Sequence, residues 1–77
     1  MNLNEYFTTD LPVATVLRYF DHKLNSVDKT ERRARFCFVR RDDTDDILKE
    51  YRERVLQVEP YVFFQCLKEM KDRLYNG

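Results

Sequence analysis

Apolar and polar positions alternate along this chain with two different periods, and the switches between them mark its elements. The clearest stretch is Arg33 to Arg41, where Phe36, Cys37, Phe38 and Val39 stand between arginine pairs. On a two-residue period Ala34, Phe36 and Phe38 share one side, and Arg35, Cys37 and Val39 the other. Bulk on both sides predicts a central strand, with the phenylalanines facing the helices because their area contributes most to burial. Glu5 to Thr8, with Tyr6 and Phe7 together, predicts a short edge strand. Leu24 to Lys29 alternates weakly and runs into the polar Thr30 to Arg32. This predicts a hairpin partner for the central strand, with no Asn-Gly or Asp-Gly pair to set the turn type.

Three segments carry the helical period instead. Val13, Val16, Leu17, Phe20 and Leu24 recur at spacings of three and four, predicting a helix from Leu11 to His22; Thr9 or Asp10 is its cap and Pro12 suits its first turn. Ile47, Leu48, Tyr51 and Val55 predict a second helix, preceded by the run Asp42, Asp43, Thr44, Asp45 and Asp46. That run reads as capping of the free amides and of the positive dipole end. It lacks the glycine and distal glutamate of a calcium loop. Glu59-Pro60 ends one element and starts the next, because the residue before proline is disfavoured in helix. Tyr61 to Tyr75 is the third helix, with Phe63, Cys66, Leu67, Met70 and Leu74 as its buried stripe and Asn76-Gly77 as its stop. The reading is an α+β domain in the order β-α-β-β-α-α: a small antiparallel sheet of two or three strands covered by three helices.

Composition changes this picture little. With one glycine and two prolines among 77 residues, the chain has no linker or repeat, and residues 1–77 read as one domain. At 14 % aromatic and 36 % charged it is too rich in core formers for disorder. A chain this short builds a core worth only about 3 to 5 kcal/mol, which favours a partner subunit. Val62, Phe64 and Tyr75 widen the apolar arc of the third helix beyond a simple stripe, which fits either a snug cover for the hairpin and second helix or a homodimer; the dimer would use this helix, with Tyr61, Phe64 and Tyr75 as anchors, or the free edge of the sheet.

Charge supplies the second candidate surface. Fourteen basic and fourteen acidic residues leave no net charge, which argues against general attraction to nucleic acid or membrane. The distribution is uneven, though. Residues 18–41 hold eight basic against three acidic residues, and 42–59 seven acidic against three basic. Lys29, Arg32, Arg33, Arg35, Arg40 and Arg41 cluster at the ends of the hairpin and are candidate nucleic-acid contacts, with Tyr19 or Tyr6 available for stacking.

Catalytic chemistry finds little foothold. His22 beside Asp21 forms no dyad, because neighbouring helical residues point apart, and it reads as a surface histidine at a helix end. Ser26 sits in no nucleophile elbow and no glycine loop cradles a phosphate. Cys37 and Cys66 read as reduced, partly buried thiols of a cytoplasmic protein. Met1 precedes neither a basic start nor an apolar run, so no signal peptide is expected. We therefore expect neither an enzyme nor a cofactor, metal site, small-molecule substrate or membrane span.

Phe7-Thr8-Thr9-Asp10-Leu11, the Phe36-Cys37-Phe38 strand, Val58-Glu59-Pro60, Phe63-Phe64, Leu67-Lys68 and Leu74-Tyr75 together resemble a family of short bacterial and phage proteins known only as a domain of unknown function. The resemblance spans nearly the whole chain. Two positions depart from it: Asp21-His22 stands where a glycine is expected, and Glu59 where aspartate is commoner. It implies no catalytic residues, and a small phage or mobile-element regulator would fit either surface.

Overall fold

The computed structural model describes residues 4–30 and 32–76; Glu31 of the hairpin turn and Gly77 of the helix stop lie outside them. The elements are β1 (Glu5–Thr8), α1 (Leu11–Tyr19), β2 (Leu24–Asp28), β3 (Arg35–Val39), α2 (Thr44–Arg52) and α3 (Pro60–Asn76). This is the expected α+β order, with β3 central in an antiparallel β1-β3-β2 sheet. Tyr6 and Leu24 lie opposite Phe38 on its two sides, and Thr8 and Val27 opposite Phe36. A bulge between Leu24 and Ser26 shifts the β2 register.

Phe36 and Phe38 are buried and meet Ala14 and Leu17 of α1, Leu48 of α2 and Met70 of α3 in one cluster. Each helix therefore contributes to a core built on the central strand. The other sheet face is better covered than its composition suggests. Cys37 is buried, its thiol donating to the Glu5 carboxylate at 3.2 Å, and Arg35 lies 5.0 Å from the Phe7 ring centre. Long side chains thus cover part of this face.

Local chemistry explains most helix ends. Asp10 caps α1 by accepting from the Val13 amide at 3.3 Å. Both carboxylate oxygens of Glu59 accept amides of α3, from Tyr61 at 3.0 Å and Val62 at 2.9 Å. Glutamate thus does the work expected of the commoner aspartate. The end of α1 differs from expectation, because the helix closes at Tyr19. The amides of Asp21 and His22 return to the carbonyls of Arg18 and Leu17 at 3.0 Å each, with Asp21 at φ 65. This is a left-handed helix stop, the place where glycine is usual and aspartate the tolerable substitute. Arg54, at φ 63, ends α2 in the same way. Val55 therefore falls outside α2 and is exposed, against its expected place in the apolar stripe.

Candidate functional site

The early stop of α1 corrects the reading of His22. Past the left-handed residue the chain turns inward, and His22 is 0 % exposed. Its Nε2 lies 2.7 Å from Thr44 Oγ1, which also accepts the Arg41 amide at 2.9 Å. The Arg41 guanidinium donates to the Phe20 carbonyl at 2.8 Å and, through Nε and Nη2, to both Asp43 oxygens at 3.1 and 2.6 Å. The acidic run is thus used differently from expectation. Asp43 stands at the N-cap of α2 without capping it by a side-chain bond; its carboxylate clamps Arg41, while Asp45 pairs with Arg40. This junction ties the end of α1 to the start of α2.

Burial lowers the His22 pKa, with the Arg41 charge as the second cause. The Phe20 and Leu17 carbonyls and the Asp43 carboxylate favour the charged ring but leave Nδ1 without a hydrogen-bond partner. The folded state therefore keeps a neutral imidazole where the unfolded chain, titrating near 6.5, takes up a proton. Stability is full above that value, and falls as pH drops through it until the folded ring also protonates. Urea midpoints are expected to be lower at pH 5.5 than at pH 7.5; equal midpoints would contradict this assignment. Asp28 and Asp43, both held below the usual carboxylate value by hydrogen bonds, act only in more acidic solution.

Neither thiol is activated. Burial, then the neighbouring Glu5, raises the Cys37 pKa, and burial, then Glu69, raises that of Cys66. Among the described residues no three metal-ligating side chains come together.

The six candidate nucleic-acid contacts divide into two sets. Arg35 pairs with Asp28 at 3.5 Å, Arg41 with Asp43 and Arg40 with Asp45. Lys29, Arg32 and Arg33 have no ion pair among the described residues and surround a cavity of about 390 Å³. Leu11, Ala34, Phe36 and Leu74 give this cavity an apolar wall, and Tyr75 stands at its side. Asp28 shapes the turn by accepting the Thr30 amide and hydroxyl at 2.9 and 2.7 Å. Of the expected stacking partners, Tyr6 lies 5.8 Å from the Arg40 guanidinium, and the Tyr19 hydroxyl accepts the Glu59 amide. Tyr75 was missed for this role, because only the return of α3 brings it to the hairpin.

The second surface is the outside of α3. Among its described side chains only Met70 is fully buried; Phe63, Cys66, Leu67 and Leu74 are half-buried. Tyr61, Phe64 and Tyr75 are 70, 62 and 74 % exposed, and their spacing puts them with Lys68 and Lys71 on the face turned from the core.

These surfaces and this topology define a class: a small α+β domain with a central β strand, an aromatic outer helix and a basic hairpin tip. Within that class, a family model described as Domain of unknown function (DUF5659) matches residues 3–76, so the chain belongs to this family. No curated protein and no solved structure matches it. Among the described residues no helix is long and apolar enough to cross a membrane.

Proposed function

We propose that the protein is a non-enzymatic interaction module that self-associates through the outer face of α3. The observation carrying this reading is the exposure of Tyr61, Phe64 and Tyr75 on a helix that packs by one side only. Aromatic anchors of this kind dominate interface energetics when buried. The sequence of the face is also self-complementary. In an antiparallel two-fold pair centred near residue 70, Phe64 lies against the partner's Tyr75 and Lys68 against the partner's Asp72, and both contacts occur twice. Sedimentation at micromolar concentration is expected to give a dimer that Phe64→Glu converts to monomer. A strict monomer, unchanged by that substitution, would count against the reading.

A second reading is supported by the cations of the hairpin tip that have no ion pair among the described residues: a nucleic-acid-binding regulator. With Arg35, Arg40 and Arg41 engaged by aspartates, the contacts contract to Lys29, Arg32 and Arg33. Three phosphate contacts make only a modest, salt-sensitive interaction, in keeping with a neutral chain.

A further inference from the structure

Two cavities meet at the hairpin tip, and they share Arg32, Arg33 and Thr9. The first is the space of about 390 Å³ beside Tyr75; the second, of about 280 Å³, extends along the outer side to Asp28 and Arg35. We infer that the pair accommodates successive nucleotides of a single strand, with the linking phosphate between Arg32 and Arg33. This inference rests on the nucleic-acid reading, in which Tyr75 is free and not packed against the partner's Phe64, and specifies its ligand.

The geometry favours an unpaired strand over a duplex on three counts. The first cavity, of about 390 Å³, lies at the small end of ligand sites, roughly 300 to 1,000 Å³, which suits a nucleotide and is too small to admit a duplex. Its wall is apolar, from Leu11, Phe36 and Leu74, while its cations come from one side, through Lys29, Arg32 and Arg33. A nucleotide has that same division between a flat apolar base and a charged phosphate. Tyr75, largely exposed, offers a ring to a base whose face is free, and a duplex hides those faces. Among the described lining residues the neutral hydrogen-bonding side chains are Thr9 and Tyr75, so the expected preference is for strandedness more than for sequence. The Thr30 amide and hydroxyl keep Asp28 charged, and Arg35 at 3.5 Å is the cation that offsets its repulsion of the phosphate.

The test is fluorescence anisotropy of the full chain with labelled oligothymidylate and oligouridylate of about ten nucleotides, in roughly 50 mM salt. A duplex of equal length, thymidine monophosphate and inorganic phosphate serve as competitors. Single strands are expected to bind. Tyr75→Ala should weaken binding about fivefold or more, and Arg32→Glu with Arg33→Glu should abolish it. Circular dichroism should be unchanged, since all three side chains are exposed. Single-strand binding that Tyr75→Ala leaves intact would overturn the cavity assignment and leave the broader reading standing. Equal affinity for the duplex, or for thymidine monophosphate alone, would do the same. Absence of any binding by the unaltered protein removes both.

Discussion

Phe38→Ala is expected to leave the domain largely unfolded at room temperature. The ring is 0 % exposed on the central strand, opposite Tyr6 and Leu24, and belongs to the cluster to which all three helices contribute. Truncating a buried phenylalanine costs about 3 to 5 kcal/mol, through lost transfer energy and the cavity left behind. A domain of this size has a net stability of roughly the same magnitude. The described residues form one core cluster, and α3 adds only Met70 to it as a fully buried side chain among those described, so the loss falls on the whole domain. Near-ultraviolet circular dichroism and urea titration measure the effect; Phe38→Leu, which keeps most of the volume, should retain a cooperative transition. A Phe38→Ala protein melting within about 1 kcal/mol of the parent would mean that the core lies elsewhere.

Thr44→Val is expected to cost about 2 to 4 kcal/mol although it removes only a hydroxyl. Valine keeps the shape of threonine, so packing is nearly unchanged. The Arg41 amide and His22 Nε2, however, both lose their partner. A buried polar group left unsatisfied costs about 1 to 3 kcal/mol, which applies in full to His22 and in part to the part-buried Arg41 amide. His22 Nδ1 already has no hydrogen-bond partner, so the valine variant isolates the whole ring. Thr44→Ser retains the hydroxyl and should lie within about 1 kcal/mol of the parent. Adding His22→Leu to Thr44→Val removes one of the two stranded groups and should recover part of the loss, giving a coupling energy of at least about 0.5 kcal/mol in the double-mutant cycle. Equal damage from serine and valine, or strict additivity in the cycle, would show that the hydroxyl is not the cause.

The two variants probe parts of the molecule that differ in how openly the sequence announces them. Phe36 and Phe38 are legible because strand period, aromatic bulk and flanking arginines agree, and the Pro12 and Glu59-Pro60 helix starts because capping and proline chemistry are local. His22 was misread because a periodic apolar pattern runs past the actual end of α1. The stop depends on Asp21 adopting a left-handed backbone, and nothing in its neighbours' hydrophobicity records that. The hairpin arginines were legible as a charged group but not as two groups. Which of them remain available to a ligand depends on aspartates of β2 and of the turn and helix that follow β3.

The sequence by itself determined the element order, the central strand and its inward face, since periodicity and capping act over a few residues. Tertiary structure decided the rest: the burial of His22 on Thr44, the pairing of Arg35, Arg40 and Arg41, and the meeting of Tyr75 with Lys29, Arg32 and Arg33. The physical reason is that desolvation, ion pairing and cavity shape arise between groups far apart along the chain, and only the packed fold sets those distances.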